Sequence, residues 1–98
     1  MSSTSVSVVG DIDVATAPSL RSRIREAVDA NPGEAITGDL SGLDFIDSTG
    51  LGVLVGALKY ARQSEGSVVL SRPRPEIWKV FTITGLDRVF EVTAASAA

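Results

Sequence analysis

The chain has 98 residues, a formal net charge of -3 at neutral pH, 44% hydrophobic and 21% charged residues, and neither cysteine nor histidine. That composition describes one globular domain and excludes a disulfide scaffold, thiolate or histidine zinc sites, a cysteine nucleophile and a histidine-based hydrolase. The acidic balance argues against direct nucleic-acid binding, and the apolar stretches are broken too often for a membrane span or a signal peptide, so a cytoplasmic location is expected.

Val6, Val8 and Val9 form a β-branched run that stops at Gly10, which predicts a first strand over residues 5–9. Asp11, Ile12 and Asp13 lead out of it. Ala17, Leu20, Ile24, Ala27 and Val28 then share one face of a first helix, with Thr16 as its N-cap, Pro18 in its first turn and Asn31-Pro32-Gly33 as its stop. Residues 35–40 read as a weaker second strand with Gly38 inside it. Ser41-Gly42 reads as a turn, followed by a loop anchored by Leu43, Phe45 and Ile46.

From Ser48 a second helix can be drawn with Leu51, Leu54, Val55, Leu58 and Ala61 on its buried face and Gly66 beyond its last turn. Val68-Val69-Leu70 is the third strand, Arg72-Pro73-Arg74-Pro75 turns the chain, and Pro75 opens a third helix carrying Ile77, Val80, Phe81 and Thr84. Gly85 closes that helix, Phe90-Glu91-Val92 makes a last strand, and the small-residue tail from about residue 93 is expected to fray. Trp78 is expected to be half-buried and Tyr60, off the apolar stripe, exposed. This alternation of strands and helices predicts a single α/β domain over residues 1–98, an open and mostly parallel sheet of four to five strands with helices packed against it.

Asp47-Ser48-Thr49-Gly50-Leu51-Gly52 lies where the loop becomes the second helix. Either hydroxyl there can cap the helix by accepting a free backbone N–H, and Asp47 complements the positive helix end. The same position also suits phosphorylation of an exposed Ser48. A phosphate adds about 1.5 to 2 negative charges and three acceptor oxygens, which a helix N-terminus tolerates but a partner surface can reject. Asp11, Asp13, Asp39 and Asp47 invite a magnesium reading, because carboxylates suit a hard cation. A receiver-like domain also needs a lysine after its last central strand, whereas Lys59 and Lys79 fall within helices, so no metal is assigned. Gly50-Leu51-Gly52 lacks the rest of a nucleotide fingerprint, and neither a catalytic residue nor a cofactor is assigned.

Residues 38–54, which include Asp47-Ser48-Thr49-Gly50-Leu51-Gly52, closely resemble the phosphorylation-site region of STAS-domain anti-sigma factor antagonists. Gly10-Asp11-Ile12-Asp13 with Ala17-Pro18, and residues 81–86 near the third helix, resemble the same family, so the resemblance covers essentially the whole chain. It implies a stress-response regulator that works by partner switching. The unphosphorylated form binds an anti-sigma factor that is also a serine kinase of an ATPase fold, so releasing a sigma factor. Phosphorylation switches it off and a metal-dependent Ser/Thr phosphatase restores it.

The resemblance makes Ser48 the phosphoacceptor and Thr49 a minor or auxiliary acceptor. Asp11, Asp13, Asp47 and Gly50 join them on the partner-binding surface. It also implies an alternative, an accessory subunit of a lipid or solute transporter that uses the same fold without phosphorylation. Family members commonly have a further strand before the segment matching residues 6–13 and a final helix after the last strand. A sheet without them exposes an edge suited to pairing with a second copy, and a homodimer is expected on that ground.

Overall fold

The computed structural model describes residues 4–93. Its strands and helices are β1 (Thr4–Ser7), β2 (Gly10–Ile12), α1 (Ala17–Ala30), β3 (Ala35–Asp39), β4 (Leu43–Ile46), α2 (Ser48–Arg62), β5 (Ser67–Ser71), α3 (Pro75–Thr84) and β6 (Glu91–Thr93), with a 3-10 turn over Leu86–Arg88. Strands β1, β3, β5 and β6 lie side by side in that order, all parallel. Each strand is joined to the next by a helical crossover, and α1 packs along α2. The α/β prediction holds, with a four-stranded sheet at the lower end of the expected range.

The core is one cluster. Val6, Ile36, Val68 and Leu70 from the sheet meet Leu20, Ile24 and Val28 of α1 and Leu54 and Leu58 of α2. Phe81 of α3 is buried and stands edge-on to buried Phe90, with ring centroids 6.2 Å apart, which fastens α3 to the start of β6. Thr93 is the last residue of β6, and residues 94–98 of the expected frayed tail lie outside the described residues.

Three local expectations are corrected. The first strand ends at Ser7 rather than at residue 9, and residues 10–12, expected to lead out of it, are a second strand, because Gly10, whose φ of 78° is left-handed, and a register irregularity between Gly10 and Asp11 redirect the chain. The loop after β3 is in part a strand: β4 pairs in parallel with β2, Asp11 beside Phe45 and Ile12 beside Ile46, as a separate two-stranded sheet. Leu43 and Ile46 are anchored as expected, whereas Phe45 points outward and is 51% exposed.

On α2 the buried stripe is Gly50, Val53, Leu54, Ala57, Leu58 and Ala61, with Leu51 and Val55 only partly covered. Residues 51–58 are apolar on nearly every side, so periodicity alone does not choose the face, and packing between the sheet and α1 does. Trp78 is half-buried as expected, but Tyr60 is partly buried too. Its hydroxyl donates to Asp29 Oδ1 at 2.7 Å, and the Arg25 guanidinium lies 4.5 Å from the ring centre.

Arg72 and Arg74 hold the loop after β3. Arg72 pairs with Asp39, while Arg74 pairs with Asp44 and donates through Nε to the Ser41 carbonyl at 2.9 Å. The Ser41 N–H and, after it, the Arg72 guanidinium hold the Asp39 carboxyl below its ordinary value. A carboxyl depressed in the folded state stabilises the fold above its unfolded value, and the contribution is lost as pH falls through that value toward the folded one. Asp39→Asn is therefore expected to flatten the loss of urea resistance below about pH 5. An acid limb of unchanged steepness in the variant would contradict that assignment.

Candidate functional site

The site is built where β2 and β4 meet the start of α2. Asp47 ends the β4 segment in an extended conformation and is the N-cap of α2. Its N–H donates to the Ile12 carbonyl at 3.2 Å, and its Oδ1 accepts the Gly50 N–H at 2.9 Å. One residue thus ties the helix start to β2 and satisfies one of the helix's orphan donors. Asp47→Ala is expected to cost about 1 kcal/mol of stability, read as a lower urea midpoint at unchanged slope.

Because Asp47 is the cap, Ser48 and Thr49 are the first two helical residues, and neither hydroxyl has the capping role that the sequence allowed for it. Both side chains are exposed. Among the described residues, no acceptor takes the N–H of Ser48 or of Thr49. An exposed hydroxyl therefore stands beside free donors at the positive end of a 15-residue helix.

Gly50 is buried. A β-carbon there would come within 2.6 Å of Ile46 Cγ1 and 2.8 Å of Ile12 Cγ2, closer than packed atoms approach. The helix start rests directly on the inner face of the β2–β4 pair only because residue 50 has no side chain. Gly50 is accordingly a seat for the first turn of α2, with its own surface covered.

The two aspartates of Gly10-Asp11-Ile12-Asp13 part company. Asp13 Oδ1 accepts the N–H groups of Ala15 and Thr16, at 2.9 and 3.1 Å, while Asp13 N–H donates to Thr16 Oγ1 at 2.9 Å. This reciprocal arrangement works as a capping box, so Asp13 caps the entry to α1. Thr16 occupies the expected N-cap position but makes no side-chain cap bond, because its hydroxyl faces back to Asp13 and the Asp11 carbonyl. The Asp11 side chain is exposed, next to Phe45 across the β2–β4 pair.

Asp11, Asp47, Ser48, Thr49 and Gly50 are thus gathered by the β2–β4 pair at one end of α2, with Asp13 at the neighbouring helix entry. Sequence reasoning missed Phe45 and Val9 there, since a strand residue and a loop anchor both read as core. Val9 is 65% exposed and lies against Gly42. No three carboxylates among the described residues converge as a metal site, and Asp13, Asp39 and Asp47 already hold N–H groups or an arginine.

The STAS domain profile matches residues 3–98. The chain belongs to the STAS-domain family of anti-sigma factor antagonists. It is 38% identical over 85 residues to the anti-sigma-B factor antagonist of Listeria monocytogenes, covering 87% of this chain and 74% of that relative. To the anti-sigma-B factor antagonist of Bacillus subtilis it is 35% identical over 91 residues, 93% of this chain and 82% of that one. A crystal structure of an anti-sigma factor antagonist from Mycobacterium paratuberculosis has the same fold, with a TM-score of 0.78 at 32% identity over 91% of this chain and 74% of that chain. The STAS domain is a regulatory, non-catalytic fold, and this STAS chain acts as a regulator rather than an enzyme. No helix among its described residues is long and apolar enough to cross a membrane.

Proposed function

We propose that this STAS domain is a phosphorylation-switched anti-sigma factor antagonist of the cytoplasm. Unmodified, it binds an anti-sigma factor serine kinase and frees the sigma factor that kinase holds. The kinase then transfers the γ-phosphoryl group of ATP to Ser48 Oγ, ADP leaves, and the modified chain lets go. A metal-dependent phosphatase hydrolyses the phosphoester and returns the binding form.

The observation that carries this reading is the position of Ser48 as the first, exposed residue of α2 beside a cap that Asp47 provides. A kinase reaches the hydroxyl without unfolding anything, and the unpaired N–H groups of Ser48 and Thr49 can receive phosphate oxygens. Thr49, one residue on and also exposed, is the minor acceptor. Asp11 and Asp47 supply negative charge to the binding surface, which a basic partner surface complements.

The reading is tested by incubating the purified chain with its anti-sigma factor kinase and ATP, then locating the label by mass spectrometry. Ser48 is expected to carry most of it, and Ser48→Ala is expected to remove most labelling while the circular dichroism spectrum stays that of the folded chain. Labelling confined to another residue would defeat the assignment.

A further inference from the structure

The layer formed by α1 and α2 carries an arrangement that the switch at Ser48 does not use. Its centre is Tyr60, about 18 Å along α2 from Ser48 at the helical rise per residue. The Arg25 guanidinium lies 4.5 Å from the centre of the Tyr60 ring, and the Tyr60 hydroxyl donates to Asp29 Oδ1 at 2.7 Å. Arg21 stands one turn before Arg25 on the same face of α1, and Lys59 adjoins Tyr60 on α2. All three cationic side chains are exposed, and among the described residues none of them forms an ion pair.

The chain leaves this charge unquenched. Arg21 and Arg25 are four residues apart, a spacing at which like charges destabilise a helix, and the other positions three and four residues from Arg21 hold Ala17, Pro18 and Ile24. Asp29 is the one carboxylate at helical spacing from Arg25, and the Tyr60 hydroxyl engages it instead. A guanidinium held on an aromatic ring with its N–H groups unspent is preorganised for a carboxylate. Two observations favour a discrete acidic segment over a continuous polyanion. Glu26 and Asp29 are exposed on the same helix, so a membrane or a nucleic acid would press phosphates against them as well, in a chain of net charge -3. The exposed large apolar side chains among the described residues, Val9, Val14, Phe45, Ile83 and Val89, all lie outside α1 and α2, so this face has none of them to insert into lipid.

We propose that the face around Arg21, Arg25 and Tyr60 is an interaction surface for an acidic helix of a second protein, whose carboxylates one turn apart pair with the two guanidinium groups. The spacing matches, because side chains four residues apart on either helix project at the same interval along it. The surface also admits a rod. Gly52 and Gly56 on α2 are exposed, and a β-carbon at either would meet nothing within 4 Å, so no side chain of theirs holds a partner helix away. Lys59 adds a further positive charge at the rim and contributes an attraction that salt screens. The surface stands apart from the turn that carries Ser48, so the chain can hold an acidic partner on its helices while that turn is modified.

The test is an NMR titration of the isotopically labelled full chain with an alanine-based helical peptide carrying glutamates four residues apart, beside the same peptide with glutamine in their place. The glutamate peptide is expected to shift amide signals centred on residues 21–25 and 56–60, saturably and less at high salt, while the glutamine peptide shifts none. The double variant Arg21→Gln with Arg25→Gln changes only exposed side chains and is expected to keep the parent spectrum elsewhere and to bind the peptide about tenfold more weakly. Lys79→Gln, exposed on α3, is the charge control and is expected to bind within about twofold of the parent. Shifts scattered over the whole surface, or equal affinity in the double variant, overturn the surface. Co-sedimentation with phosphatidylglycerol vesicles in place of peptide binding overturns the choice of a protein partner. Labelling of Ser48 by the anti-sigma factor kinase is expected to be unchanged in the double variant, and its loss there would assign the two arginines to the kinase and overturn a separate partner.

Discussion

Gly50→Val is expected to destabilise the domain by about 3 kcal/mol, lowering its thermal midpoint by more than about 10 °C. The first atom of any side chain at residue 50 would lie 2.6 Å from Ile46 Cγ1 and 2.8 Å from Ile12 Cγ2. Those are branch atoms of buried side chains in paired strands, not the free ends of flexible ones, so relief requires α2 to lift from the β2–β4 pair. The valine gains some helix propensity over glycine, up to about 1 kcal/mol, which is too little to offset the clash. Gly52 provides the contrast two residues on. It is exposed, a β-carbon there meets nothing within 4 Å, and Gly52→Ala is expected to raise stability by up to about 1 kcal/mol. Urea denaturation of both variants checks the pair, and equal midpoints for the two would contradict the assignment of Gly50 as a packing seat.

Phosphorylation of Ser48 is expected to weaken the kinase complex about 100-fold, a change of about 2.7 kcal/mol, without loss of fold. In the free chain the phosphate sits in water at the positive end of α2, beside two unpaired N–H groups, and the Asp47 cap is undisturbed. In the proposed complex the same group would be shut into an interface next to the Asp47 carboxylate. Removing a dianion from water there costs several kcal/mol, and only new cationic contacts from the partner would recover it. Ser48→Glu reproduces the sign with a smaller size, since one carboxylate brings a single charge and two acceptor oxygens. A loss of about tenfold is the expected result for it.

Helices and central strands were legible because each carries its own period. Leu20, Ile24 and Val28 mark one face of α1, and Pro75 and Gly85 bracket α3 as punctuation that needs no tertiary information. The β2–β4 pair was not legible. Gly-Asp-Ile and Leu-Asp-Phe-Ile are too short to show alternation, contain residues that strands disfavour, and become strands only when each finds the other across more than 30 positions of chain. That a capped helix starts at Asp47-Ser48-Thr49-Gly50 could be read from the sequence. The identity of the cap could not, since aspartate and serine are equally good caps and only the entry angle set by β4 decides between them. Asp13 illustrates the same limit: a carboxylate in an acidic motif looks like a surface group until Ala15 and Thr16 are seen to donate to it. Phe45 fails in the opposite direction, because an aromatic residue between two buried positions reads as core unless the strand's facing is known.

The most direct test of the switch is a calorimetric titration of the anti-sigma factor kinase with two forms of this chain, unmodified and singly phosphorylated at Ser48, each verified by intact mass and by circular dichroism. The expected result is a dissociation constant about 100-fold larger for the phosphorylated form, with both forms folded. Equal affinities for the two forms, with phosphate confirmed on Ser48, would contradict the mechanism.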